Sequence, residues 1–163
     1  MDKKEFMNFC KEDLKKRGFK KIKKGYYFDG GNGISIIIYP QGGSFGKYYY
    51  INCGFSMCSL NDFLPRPIFD DMDFTNRIAI MSRGDDTIDG KHYMTAQIDY
   101  EEYDQSELQP FFDDFFEKWV NPVITKGKKY ILENKDEYHL GGKHVTEKKV
   151  DVLENLKKNN KVF

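Results

Sequence analysis

The stretch LKKRGFKKIKKGYYFDGGNG, residues 14–33, places seven cationic side chains and a glycine cluster within twenty positions. Such a composition is typical of a nucleic-acid surface or of a phosphate-binding loop. Its order nevertheless predicts local structure. Arg17 and Gly18 have the residue types that end a helix, and Phe19 can close a hydrophobic contact at that end. The letters GYYF then begin a β-rich run.

Working back towards the N-terminus, the pattern predicts a helix over about residues 3–17. Asp2 and Glu5 have the spacing of a capping box, in which each residue satisfies a backbone N–H of the first turn. Apolar residues then recur at helical intervals on one face. They are Phe6, Phe9, Cys10 and Leu14.

Working forward, the pattern predicts a mostly antiparallel sheet of about five strands. GYYF and ISIIIY are separated by DGGNG, a turn-forming cluster, and therefore predict a hairpin. KYYYINCGFSM predicts a third strand, and RIAIM and HYMTAQIDY predict two more, joined by the loop SRGDDTIDGK. The fold class expected is α+β, with the sheet covered by the N-terminal helix and by C-terminal helices.

The C-terminal third predicts helices. Ser106 and Gln109 have capping-box spacing ahead of PFFDDFFEKWV, which has a wide apolar stripe. Asn121 and Pro122 either end this helix and start another or lie within one kinked helix. VTEKKVDVLENLKK predicts a short, charged last helix that is loosely docked.

Length and composition predict one cytoplasmic domain spanning 1–163. Within it, 1–60 holds the helix and meander, 61–140 the acidic middle, further strands and the aromatic helix, and 141–163 the last helix. The 26 basic and 26 acidic residues cancel, so the chain lacks the strongly cationic charge of many nucleic-acid binders. The three cysteines contain no C-x-x-C pair, which favours reduced thiols. The sequence has no long apolar segment, so we expect neither export by a signal peptide nor a membrane anchor.

Several short motifs resemble catalytic or metal sites without the context that such sites need. GGSFG, around Ser44, matches a nucleophile elbow, but strand-like residues follow it where a helix is required. GGSFGK is one residue short of a P-loop, and DDTIDG lacks the closing glutamate of a calcium loop. His139 and His144 are five apart and straddle two glycines, unlike a helical zinc pair. We therefore expect no catalytic residue, metal or cofactor.

Charge is distributed unevenly along the chain. Residues 1–24 contain ten Lys or Arg and four acids, whereas residues 57–118 contain fifteen acids and five basic residues. An acidic surface attracts basic partners and repels nucleic acid. The alternative, that these acids scatter over several faces of the fold, stays open.

Residues 3–60 also carry a resemblance to a known family. The helix with Phe6 and Leu14, then RGFKK, YYF, an Ile-rich strand reaching Gln41, and YYYINCGF resemble a widespread family of small bacterial domains of unknown function. Some members are similar to immunity proteins encoded beside polymorphic toxins. The resemblance implies a binding role and supplies no catalytic residue.

These observations predict a non-enzymatic immunity-type protein that binds and neutralises a toxin domain through an acidic surface. The expected partner is a protein, and neither a membrane nor nucleic acid is expected. The interface residues predicted from their place in loops are Asp70, Asp71, Asp73, Asp85, Asp86 and Asp89.

Two alternatives remain. The first is a nucleic-acid or anionic-ligand module built on the lysine-rich helix end and first hairpin. Its residues are Lys15, Lys16, Arg17, Lys20, Lys21, Lys23, Lys24, Tyr26 and Tyr27. The second is an enzyme whose site the sequence does not reveal, which would require a pocket that holds carboxylates or histidines with perturbed pKa values.

Overall fold

An antiparallel sheet with helices packed on one face forms the framework, which confirms the α+β class. The computed structural model describes residues 1–30, 33–57, 68–144 and 148–159. Its α-helices are α1 Lys3–Lys16, α2 Gln105–Phe115, α3 Asn121–Lys126, α4 Lys128–Glu133 and α5 Lys149–Asn159. Its strands are β1 Lys20–Ile22, β2 Gly25–Asp29, β3 Ser35–Gly42, β4 Tyr48–Ser56, β5 Phe74–Arg77, β6 Ile80–Met81, β7 Met94–Thr95, β8 Ile98–Asp99 and β9 His139–Leu140.

Local signals set both ends of α1, as predicted. The Asp2 carboxylate accepts the Glu5 N–H at 2.8 Å, and the Asp2 N–H donates to the Glu5 carboxylate at 2.8 Å. At the other end, Gly18 has a φ of +88°, a conformation that favours glycine. The Phe19 N–H donates to the Leu14 carbonyl at 3.0 Å, so the chain turns away from the helix at this point.

The predicted meander of β2, β3 and β4 is confirmed. Tyr26 lies opposite Ile38, and Ile38 lies opposite Cys53. The described residues form a main sheet of seven strands in the order β1-β2-β3-β4-β5-β9, with β8 beside the start of β4, rather than five. The sequence pattern does not predict β1, whose residues pair with the start of β2 and form the sheet edge.

The two later predicted strands are each divided in the structure. β5 pairs with the second half of β4, whereas β8 pairs with the first two residues of β4, Tyr48 and Tyr49. The chain between them leaves this edge after Ile78, whose N–H donates to the Ile51 carbonyl at 3.1 Å. β6 and β7 therefore pair with each other, outside the main sheet.

One joined helix runs from α2 to α3, as in the kinked alternative. A π-helical segment, Phe116–Val120, connects the two and ends two residues before Pro122. Proline has no N–H to donate to the preceding turn, and a wider turn accommodates that loss. The predicted Ser106 cap is wrong, because Asp104 and Glu107 form the capping box two residues earlier.

Side chains on the two faces of the sheet form separate apolar clusters. Alternate residues such as Tyr26 and Ile38 face the helices, within a core that extends from Phe6 to Leu153. The opposite face, called the outer face below, carries a smaller cluster of Tyr27, Ile37 and Met72. Among the described residues, no α-helix contributes to this outer cluster, which lies where β2 and β3 meet.

Candidate functional site

Three of the predicted acidic residues lie together in one exposed loop. Asp85, Asp86 and Asp89 are all exposed in the connection between β6 and β7. The loop has a defined shape, because the Ser82 hydroxyl donates to the Asp86 carbonyl at 2.7 Å and the Tyr93 hydroxyl donates to the Asp86 carboxylate at 2.6 Å. The backbone of the loop and the Asp86 carboxylate are therefore held in place.

Arg83 anchors this loop to the start of α2. Its guanidinium donates to the Glu102 carbonyl at 3.2 Å and to the Glu107 carboxylate at 2.6 Å, and it lies 4.5 Å from the centre of the Tyr103 ring. The Tyr103 hydroxyl donates to the Met81 carbonyl at 2.6 Å. The β6–β7 unit is thus attached to α2 by polar contacts at two points.

The anchoring brings two further carboxylates, Glu102 and Asp104, towards the loop. Burial raises the pKa of Tyr103, and the negative charges of Glu102 and Asp86 raise it further. Hydrogen bonds from the Ser106 hydroxyl and from a backbone N–H lower the pKa of Asp104, so its carboxylate stays charged. We call Asp85, Asp86, Asp89, Glu102 and Asp104 the acidic loop surface.

The sequence pattern does not single out Glu102 and Asp104. Both belong to the acid-rich segment, but nothing in their spacing indicates that they lie near the β6–β7 loop. Contact with Arg83 and Tyr103 is what brings them there. Asp104 therefore has two roles, because its carboxylate caps α2 and also belongs to the acidic segment beside the loop.

The other three predicted aspartates do not join this surface. Asp70 and Asp71 lie in a short 3₁₀ helix, Phe69–Asp71, that packs on the outer face of the sheet. Asp73 lies beside the last residues of β4, whereas β8 pairs with its first residues. The structure therefore does not bring the six aspartates together.

Asp73 is also not an exposed loop residue, so its assignment to a partner interface is wrong. It is only 2% exposed. Its carboxylate accepts the Met57 N–H at 2.8 Å, lies 3.4 Å from the Ser56 hydroxyl and contacts His144 Nε2 at 2.7 Å. The carboxylate lies between the hydroxyl and the imidazole, so this histidine is not placed to activate the serine as in a catalytic triad.

The predicted cationic set divides in a similar way. Arg17 is bonded to Asp13 and Asp113 and stacks over Phe116 at 4.2 Å, so it holds α1 against α2. The exposed Lys15 and Lys16 lie at the end of α1. The exposed Lys20 and Lys21 lie on the edge strand β1, where lysines discourage pairing with another chain.

The remaining cationic residues, Lys23 and Lys24, form the turn between β1 and β2. Two clefts meet at this turn. The outer cleft, of about 500 Å³, lies on the outer face, where Tyr27, Tyr39 and Phe69 contribute to its walls. The inner cleft, of about 400 Å³, includes Tyr26. Tyr26 and Tyr27 therefore lie on opposite faces of β2, and both lysines line both clefts.

GGSFG lies in the predicted loop between β3 and β4. The glycines leave room for the ring of Tyr48, since a Cβ at Gly43 would lie 2.2 Å from it and one at Gly46 would lie 2.6 Å from it. Ser44 is exposed, and β4 follows the loop. This loop has a structural explanation in the packing of Tyr48.

No protein-family model matches the chain, and no curated protein or solved structure shows significant similarity to it. The family resemblance of residues 3–60 therefore stays a prediction. Within the described ranges, no helix is both long and apolar enough to cross a lipid bilayer. Two charged regions remain as candidate sites, namely the acidic loop surface and the clefts around Lys23 and Lys24.

Proposed function

We propose that the protein binds a basic partner protein through the acidic loop surface and acts without catalysis, in the manner of an immunity protein that blocks a toxin. The observation that carries this proposal is the exposure of several carboxylates on one loop that Arg83 ties to α2. A shaped loop on a rigid scaffold loses little conformational freedom on binding.

Electrostatics gives this surface a suitable class of partner. A patch of one charge steers a partner of opposite charge and raises the rate of association. A nuclease toxin has a basic cleft that binds phosphate groups, and carboxylates can occupy the same positions. Such a toxin is therefore the partner that the surface and the family resemblance favour together.

The decisive experiment combines binding with inhibition. A toxin domain encoded next to this gene is purified, and its activity is measured with increasing amounts of the protein. We expect inhibition that saturates at one protein per toxin, with association that slows as salt is raised. A toxin that remains fully active with an excess of the protein contradicts the proposed function.

The double variant Asp85→Asn/Asp89→Asn tests the assigned surface. It removes two exposed charges and retains similar side-chain shapes, so we expect slower association by about tenfold at low salt. The matched control is Asp136→Asn/Glu137→Gln, which removes two exposed charges from a short 3₁₀ helix elsewhere in the chain. Equal effects of the two variants would show that net charge matters and that this particular surface does not.

A further inference from the structure

The outer cleft has the features of a small-ligand site and is separate from the acidic loop surface. Its volume of about 500 Å³ lies within the range of about 300–1,000 Å³ typical of ligand pockets. Tyr27 and Ile37 are buried beneath it, at 8% and 2% exposure, and provide an apolar floor. We propose that this cleft binds a nucleotide, with its phosphates at Lys23 and Lys24 and its base against the aromatic wall.

The aromatic wall suits a flat ring. Tyr39 on β3 and Phe69 on the 3₁₀ helix lie with their ring centres 6.3 Å apart and their planes within 18° of each other. Both rings line the cleft. Bases stack readily on tyrosine and phenylalanine, and this stacking accepts any base because each has a flat π-face.

The lysines supply a cationic edge to the same cleft. Among the described residues, Lys23 and Lys24 form no ion pair, in contrast to Arg17, which is held by two carboxylates. Unpaired ammonium groups gain more from a phosphate than those already neutralised by a carboxylate. A phosphate group at Lys23 and Lys24 can therefore bind together with a flat ring that stacks on the aromatic wall beside them.

Two further polar residues, Gln41 and Asp70, also line the cleft. The Gln41 side-chain oxygen accepts the Asn52 amide at 3.0 Å, and Asn52 in turn accepts the Arg77 guanidinium at 2.6 Å. These hydrogen bonds fix the side-chain oxygen of Gln41, a residue that lines the cleft. The exposed carboxylate of Asp70 also lines the cleft and can accept a hydrogen bond from a base or a ribose.

A cleft of this kind distinguishes a nucleotide from simpler anions. An inorganic phosphate uses only the lysines, and a nucleoside uses only the aromatic wall. A nucleotide uses both, so its affinity should exceed that of either fragment. A long nucleic acid would instead depend on many lysines, including Lys15 and Lys16 at the end of α1.

The test is calorimetric titration of the full chain with ATP, adenosine and inorganic tripolyphosphate. We expect saturable one-to-one binding of ATP, with adenosine and tripolyphosphate each at least about tenfold weaker. No saturable binding of ATP up to about 1 mM overturns the proposal. Equal affinity for ATP and tripolyphosphate also overturns it, because the aromatic wall would then contribute nothing.

Variants assign the two halves of the site. Lys23→Gln/Lys24→Gln should weaken ATP binding at least about tenfold, whereas the control Lys15→Gln/Lys16→Gln should change it less than about twofold. Tyr39→Leu should weaken ATP binding and leave tripolyphosphate binding unchanged. Circular dichroism spectra like that of the parent protein show that each variant is folded.

A further arm separates a free nucleotide from nucleic acid. A short single-stranded oligonucleotide is titrated at several salt concentrations, with and without saturating ATP. If the oligonucleotide binds more tightly than ATP and the Lys15/Lys16 variant abolishes that binding, a nucleic-acid surface replaces the proposed site. Toxin inhibition should be unchanged in the Lys23/Lys24 variant, so this inference and the proposed function fail independently.

Discussion

Replacing Asp73 by alanine should destabilise the protein more than the same substitution at any exposed aspartate. Its buried carboxylate contacts the imidazole of His144 at 2.7 Å and accepts the N–H of Met57 at 2.8 Å. The three residues are at most 9% exposed, so water cannot replace the lost acceptor without opening the structure. The substitution leaves two buried donors, the Met57 N–H and the His144 imidazole, without their acceptor. Each such donor costs about 1–3 kcal/mol, so a combined loss of about 3–5 kcal/mol is expected.

The same contact ties the chain after β9 to the sheet. The Gly141 N–H donates to the Asp73 carbonyl at 2.8 Å, and the His144 N–H donates to the Gly141 carbonyl at 3.0 Å. A Cβ on Gly141 would lie 1.9 Å from the Met72 carbonyl oxygen, which shows how closely the two segments approach. Loss of the carboxylate should therefore loosen the segment around His144 before the rest of the fold.

The assay is urea unfolding of the parent, Asp73→Ala, His144→Ala and the double variant, which form a double-mutant cycle. We expect a loss of about 3–5 kcal/mol for Asp73→Ala and a coupling energy above about 1 kcal/mol. For a chain of this length, the loss corresponds to a fall in melting temperature of about 6–20 °C. The control Asp70→Ala, at an exposed position, should stay within about 0.5 kcal/mol of the parent.

Two results would refute this reasoning. One is a loss below about 1 kcal/mol for Asp73→Ala, which would mean that the carboxylate is solvated in solution. The other is strict additivity of the two single variants, which would mean that Asp73 and His144 do not interact. Hydrogen exchange adds a local readout, because amides around Gly141 should lose protection in Asp73→Ala first.

Two other predictions concern a buried hydroxyl and an exposed carboxylate. The Tyr26 hydroxyl is buried and has no hydrogen-bond partner among the described residues, so Tyr26→Phe should leave the free energy of unfolding unchanged or raise it by up to about 1 kcal/mol. The matched variant Tyr138→Phe loses a 2.9 Å hydrogen bond to the Trp119 carbonyl and should lower the free energy of unfolding by about 1 kcal/mol. A larger loss for Tyr26→Phe than for Tyr138→Phe would contradict this prediction. Hydrogen bonds from the Arg17 guanidinium are the main reason that the pKa of Asp113 lies below its ordinary value of 3.8. When the pKa of a carboxyl is lower in the folded state, its charged form stabilises the fold at pH values above the unfolded-state pKa, and this stabilisation is lost as the pH falls through the folded-state pKa. Urea midpoints measured between about pH 5 and pH 2 should therefore fall less steeply for Asp113→Asn than for the parent. Parallel pH profiles would refute this linkage.

The elements that the sequence predicts well are those specified by neighbouring residues. Both ends of α1 follow from side chains within five positions, as the contacts of Glu5 and Gly18 show. The sequence places the cap of α2 two residues too late, because the pairs Asp104/Glu107 and Ser106/Gln109 have the same spacing. The structure shows that Asp104 accepts the Glu107 N–H. β1 has three residues and two lysines, so it has no alternating pattern, and its pairing is imposed by β2.

The candidate sites were less predictable because they depend on residues far apart in the chain. Asp73 is an ordinary acidic loop residue until His144, 71 positions later, packs against it. Lys23 is one of several lysines close together in the sequence, and its turn borders the outer cleft, whose wall comes partly from Phe69. No spacing rule in a single sequence reports these contacts.

Backbone geometry links the two candidate surfaces. Among the described residues, the non-glycine residues with positive φ are Lys23, at 54°, and Asp89, at 52°. Each lies in a turn where glycine would be relaxed, and each places a charge on one of the two surfaces. Holding a lysine in this region costs about 1–2 kcal/mol, whereas aspartate tolerates it better. Both positions lie in two-residue hairpin turns, closed by the pairs Ile22–Gly25 and Ile88–Lys91, and the turn types that suit such hairpins need positive φ. The turn geometry therefore explains the strain, and each turn carries a charged side chain to one of the two candidate surfaces.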